Sequence, residues 1–194
     1  MRYTIMILLA TLSFNLFGQG PKIDLGDASV DGTPPNYGIE NQIAPELQVA
    51  LWVDGEGNKI DPILLKDLKG KFKVIYCFQA WCPGCHSRGL PALQEMTDAL
   101  KDHDNIEFLA IQTVFEGSHA NTYERMLEIQ KEYKLEIPFG HDVGDASTRN
   151  RSSTLSRYRT GGTPWFIFID ESGKVVYNNF HIDTEKAIDF LKSL

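Results

Sequence analysis

The strongest constraint on this chain is a pair of cysteines two residues apart, Cys82-Pro83-Gly84-Cys85, placed directly after the β-rich run Phe72-Lys73-Val74-Ile75-Tyr76-Cys77-Phe78. A run of that kind predicts a strand buried on both faces. Pro83 after the first cysteine suits an early helical position, where its missing N–H costs little. Strand, cysteine and helix start therefore coincide. A helix N-terminus offers unpaired N–H groups and positive dipole to the first sulfur, which lowers a thiol pKa. On this reading Cys82 is the exposed nucleophile and Cys85, one turn further in, the buried resolving thiol.

The rest of the chain surrounds this point with alternating elements. Leu47–Val53 and the turn Asp54-Gly55-Glu56-Gly57-Asn58 predict an N-terminal hairpin. A helical piece at Ile63–Leu68 precedes the central strand. A helix is expected from about Cys82 to Asp102, a strand at Ile106–Phe115, and a helix from about Ala120 to Tyr133 capped by Asn121 with Glu124 three residues on. A short strand near Ile137–Gly140 and a helix within Thr148–Tyr158 follow. Strands Trp165–Asp170 and Lys174–Phe180 and a helix at Thr184–Leu194 finish the chain. That order predicts an α/β fold, a central mixed sheet with helices on both faces.

Residues 1–18 have the layout of a secretory signal peptide: Arg2, an apolar run from Ile5 through Leu12 broken by Thr11, and the small residue Gly18. The run falls short of the roughly 20 apolar residues a spanning helix needs. The expectation is export to the periplasm or cell envelope with no stable membrane insertion after cleavage; an uncleaved anchor is the competing reading. Residues 19–44, rich in Gly, Pro, Asp and Asn, form an irregular lead, and 45–194 one domain. A domain of that size buries enough surface to need no stapling disulfide. The formal charge of −7 argues against nucleic acid as a partner.

Strand, Ala80-Trp81-Cys82-Pro83-Gly84-Cys85, helix and, far downstream, Gly162-Thr163-Pro164 just before a strand resemble the thioredoxin superfamily. The likeness is to its TlpA-like, ResA-like exported branch, with the hairpin before Lys69-Gly70-Lys71 and an inserted strand and helix after the active-site helix. The resemblance implies a thiol-disulfide oxidoreductase, more a reductant than an oxidant. Its only redox group would be the Cys82–Cys85 disulfide, with no metal and no added cofactor. Its partners would be protein disulfides or dithiols and an upstream thiol electron donor. Pro164 matches the cis-proline facing the Cys pair, and Trp81, Pro83, Thr163 and Pro164 would line the substrate groove. Two departures stand out. Tyr76 occupies the place, six residues before the first cysteine, where thioredoxin has a buried aspartate. Pro91 lies one residue farther from the cysteines than the usual kinking proline.

Glu116 and His86 are the residues offered for moving a proton, against the plainer readings of a solvated loop carboxylate and a helix-surface imidazole. Cys77 is either core packing or a third redox partner. Two further functions compete. A peroxiredoxin-like peroxidase lacks its proline and threonine, because Phe78-Gln79-Ala80-Trp81 stands ahead of the cysteine. A copper module would join Cys82 and Cys85 to His141 or His181.

Overall fold

A computed structural model describes Ile23, Leu25 and residues 37–149 and 151–194; the expected signal peptide lies outside the described residues. Among the described residues, seven strands and four α-helices follow in the order β1 (Leu51–Val53), β2 (Lys59–Ile60), β3 (Phe72–Phe78), α1 (Leu90–Ala99), β4 (Ile106–Thr113), α2 (Tyr123–Glu132), β5 (Phe139–Asp142), α3 (Ser153–Arg157), β6 (Trp165–Ile169), β7 (Val175–Asn179) and α4 (Thr184–Lys192). They form one mixed sheet in the order β2-β1-β5-β4-β3-β6-β7. β4 pairs in parallel with β3 and β5, whereas β1, β6 and β7 run antiparallel to their neighbours. The fold is the thioredoxin-like α/β arrangement expected.

All seven residues of β3 are buried, because it lies in the interior of the sheet with layers on both sides. Alternation then sorts its side chains. Val74, Tyr76 and Phe78 face the core shared with Leu93 and Met96 of α1, Met126 and Ile129 of α2, and Leu191 of α4. Ile75 and Cys77 face the opposite core with Trp52, Leu109, Ile111, Tyr158 and Trp165. That second face is covered less by helix than by irregular chain, including Ile39, Leu47 and Val49. Even Lys73 is buried; its ammonium reaches out to donate to the Asp170 carbonyl at 3.0 Å. Of the irregular lead, Leu25 is buried and its carbonyl accepts from the Asp183 N–H at 2.9 Å.

The structure corrects several element boundaries. The hairpin strand is shorter than Leu47–Val53, since Leu47 and Val49 are buried without joining the ladder. The helix after the cysteines ends at Ala99 and, after helical residues Pro83 and Gly84, widens into a π-helical turn over Cys85–Gly89, in which the Leu90 N–H donates to the Cys85 carbonyl. One extra residue inserted into an α-helix is what a π turn accommodates. It accounts for the displaced Pro91, which follows where the wider turn relieves the clash a proline ring makes with the carbonyl four residues back. α2 begins at Tyr123 with Thr122 as its cap, the hydroxyl accepting from the Arg125 N–H at 3.2 Å. Asn121 is diverted to another task. β5 begins at Phe139, and α3 is confined to Ser153–Arg157.

Candidate active site

The carboxyl end of β3 delivers Gln79, Ala80 and Trp81 beyond the end of the strand, and Cys82 follows at the mouth of the helix. Cys82 is 9% exposed and Cys85 0%, and both are free thiols. The first sulfur is thus more sheltered than a freely exposed nucleophile but keeps an open edge, whereas the second has none. The Thr163–Pro164 peptide is cis. It brings the Thr163 carbonyl to 3.5 Å from Cys82 Sγ. Gly84 permits this closeness: a Cβ there would lie 3.3 Å from the Pro164 ring and 4.0 Å from the Cys82 sulfur. Around this point Trp81 is 47% exposed, Pro83 is exposed, Thr163 half-buried and Pro164 buried. The four expected groove residues therefore gather at the Cys pair.

The two thiols are electrostatically opposite. Cys82 is brought down to about 5, first by the hydrogen bond from the Cys85 thiol and then by the Thr163 side chain and the N–H groups of Cys85 and Gly84, which together outweigh burial. Cys85 is pushed far up, first because its proton is held by Cys82, then by burial and by the negative charge next door. The helix-start N–H groups anticipated for the first sulfur are present, but the partner thiol is the larger influence. Cys77 is also pushed up, by burial and then by Asp142, and it faces the other core. Across the sheet from Cys85, it has the surroundings of packing rather than of a third redox group.

His86 and Glu116 are not brought to the sulfurs' service. The His86 ring is spent on structure: Nε2 donates to the Ala80 carbonyl at 2.7 Å, and Nδ1 accepts from the Tyr133 hydroxyl at 2.9 Å. A carbonyl only accepts, so Nε2 carries the proton. Glu116 is exposed, and its contribution comes from its backbone, whose carbonyl accepts from Gln79 and Asn121. Neither side chain is among the strongest influences on either thiol. His141 is buried against Gln112, 3.0 Å from its amide, and no cluster of three or more His, Cys, Asp or Glu forms among the described residues, so the copper set is not assembled.

Sequence reasoning missed Asn121. Its Oδ1 accepts from the Ala80 N–H at 2.7 Å, and its amide donates to the carbonyls of Glu116 and Gly117 at 2.9 and 3.1 Å. It ties the segment entering the Cys pair to the loop after β4. The spacing to Glu124 mimics a cap and hides this role; the one signal was an amide-bearing residue beside a second good cap, Thr122.

The sheet order, the cis peptide and the facing Cys pair define a thioredoxin-superfamily protein of TlpA/ResA-like layout, in the class of thiol-disulfide oxidoreductases. The chain belongs to the AhpC/TSA family, which it matches over residues 41–178. It is 26% identical over 185 residues to the thiol-disulfide oxidoreductase ResA of Bacillus cereus, covering 95% of this chain and 88% of that protein. Among solved structures it resembles the thioredoxin-like superfamily protein SPOA0173, with 32% identity and a TM-score of 0.67 over 78% of this chain and 94% of that one. A thiol-disulfide isomerase from Corynebacterium glutamicum is 25% identical with a TM-score of 0.62, covering 82% and 96%.

Proposed function

We propose that Cys82 and Cys85 form the redox-active pair of an exported reductant of protein disulfides. The observation that carries this reading is the seating of a low-pKa Cys82 sulfur beside the Thr163 carbonyl and Pro164, with Cys85 sealed behind it. At pH 7, two units above its pKa, Cys82 is roughly a hundredfold more thiolate than thiol. It attacks one sulfur of a partner's disulfide; a Cys82–partner bond forms and the other partner sulfur leaves as thiolate, to be protonated.

The pair then switches roles for a physical reason. The first influence holding up Cys85 is its hydrogen bond to Cys82, and another is the charge on Cys82. Both vanish once Cys82 is in a mixed disulfide. Cys85 then loses its proton, attacks Cys82 Sγ and expels the second partner thiolate. The partner gains two electrons, and the protein is left with the Cys82–Cys85 disulfide as its only redox group. An upstream thiol donor restores it by the reverse exchange.

Trp81, Pro83, Thr163 and Pro164 make the groove in which an extended substrate segment lies. Export is supported by the apolar stretch after Arg2; among the described residues no helix is long and apolar enough to cross a membrane.

The reduced protein is expected to reduce insulin disulfides, and Cys82→Ser to abolish this. Cys85→Ser is expected to accumulate mixed disulfides with envelope proteins. Insulin reduction that survives Cys82→Ser overturns the assignment; fast peroxide consumption dependent on Cys82 redirects it to a peroxidase.

A further inference from the structure

Tyr76 is the buried polar side chain at the Cys pair that this chemistry leaves unused. Its ring lies parallel to Phe78, with centroids 5.9 Å apart, and 4.9 Å from Phe166, so the hydroxyl points one way. That hydroxyl is buried and has no hydrogen-bond partner of ordinary geometry. Buried polar groups are nearly always paired, so an orphaned one calls for a reason. Directly above it sits Gly89, the end of the π turn that begins with Cys85. A Cβ at Gly89 would lie 2.2 Å from the phenol oxygen and 2.8 Å from Cε2 and Cζ. Only glycine lets the turn settle this closely, and the extra residue of the π turn places that glycine there.

The ionisable groups that act on the phenol are Cys85, then Cys82 and Cys77. Cys85 in turn responds to Cys82, the Gln79 backbone and Tyr76, and it influences Tyr133 at the C-terminal cap of α2. None of these is a carboxylate. The phenol lies within reach of the Cys85 sulfur without the geometry of an ordinary hydrogen bond, and that sulfur becomes a strong acceptor only when it ionises.

We propose that the Tyr76 hydroxyl donates a hydrogen bond to the Cys85 sulfur whenever that sulfur carries charge: as it attacks the mixed disulfide, and again as it leaves when the protein's own disulfide is reduced. This rests on the exchange reading above. Burial holds the phenol well above its ordinary pKa, so it keeps its proton throughout. It is a donor and not a base. The Cys85 proton goes to water or to the departing partner thiolate, the Cys82–Cys85 bond forms and the Cys82–partner bond breaks. Gly89 is a positioning residue that gives the phenol its room.

The test loads Cys82 of the full chain with 2-nitro-5-thiobenzoate and follows release of the coloured thiolate from pH 5 to 10, in the unmodified protein, Tyr76→Phe and Cys85→Ser. Phenylalanine preserves the ring and removes only the orphaned oxygen. The expected result is release about tenfold slower at pH 7 in Tyr76→Phe, with its rise on the basic side moved up by about one pH unit, the two being equivalent. The Cys82 titration and the unfolding temperature are expected not to fall. Release that depends on Cys85 but is unchanged in rate and pH profile by Tyr76→Phe overturns the proposal and leaves the exchange reading standing. Release that persists undiminished in Cys85→Ser overturns the exchange reading itself.

Discussion

Replacing Asn121 by alanine removes three hydrogen bonds, but the partners suffer unequally. The Glu116 carbonyl still accepts from Gln79 at 3.2 Å, and the Gly117 carbonyl from the N–H groups of Ala120 and Asn121 at 2.9 and 3.1 Å. The Ala80 N–H, in a residue only 4% exposed, loses the one acceptor the structure gives it. An orphaned buried donor costs about 1–3 kcal/mol, and the lost amide bonds add a smaller share, so a loss of about 2–3 kcal/mol is expected. For a domain of this size that corresponds to a fall in Tm of about 4–12 °C. The consequence reaches the chemistry, because Ala80 lies two residues before Cys82 and its carbonyl is also held by His86. With the N–H side released, the alignment that lowers the Cys82 pKa loosens, and the thiolate absorbance near 240 nm is expected to titrate at higher pH than in the parent. Asn121→Asp separates the contributions: it keeps an acceptor for Ala80 but turns an oxygen toward two carbonyls, so it should lose at least as much stability. A fall in Tm below about 2 °C for Asn121→Ala, with an unchanged Cys82 titration, would refute the claim that this amide organises the entry to the site.

Five other outcomes are expected. Cys82 should titrate at about 5, and Cys85→Ala should raise that midpoint, since the Cys85 thiol is its largest cause; an unmoved midpoint counts against the pairing. Because the folded pKa lies below the unfolded value of 9.0, the unfolded chain binds more protons between pH 9 and about 5. Denaturant melts should therefore show the reduced protein losing stability relative to the oxidised one as pH falls through that window. A thiolate stabilised to this degree lies between those of thioredoxin and DsbA, so redox equilibration should place the potential between about −270 and −120 mV; the protein then reduces exposed or strained disulfides rather than structural ones. Gly89→Ala should destabilise by about 1–3 kcal/mol through overpacking against Tyr76, the reverse of the gain alanine gives in an open helix, as thermal melts will tell. Asp142→Ala should cost about 3 kcal/mol or more, because the buried carboxylate accepts from Ser152, Ser153, Thr154 and Gly144 and holds the start of α3.

Local pattern determined much of this protein. The unbroken β-rich run at 72–78, the helix-opening Cys82-Pro83-Gly84-Cys85 and the distant Thr163-Pro164 needed only hydrophobicity, backbone preference and motif spacing to be read, because their meaning resides in consecutive residues. Contacts that depend on distant elements were not available in that way. Asn121 matched a cap by spacing, yet the fold sends its amide to Ala80, 41 residues away. His86 offered a free imidazole in sequence, but Tyr133 and Ala80 occupy both nitrogens. Cys77 stood beside the redox pair in sequence, and strand alternation turned it to the other side of the sheet. The Cys82–Cys85 pair itself was legible from four letters. How far the pair divides into one low and one high thiol was decided by tertiary structure, because a thiol's acidity follows from what donates to its sulfur and how far water is excluded, and those groups arrive from the helix start, from Thr163 and from β3.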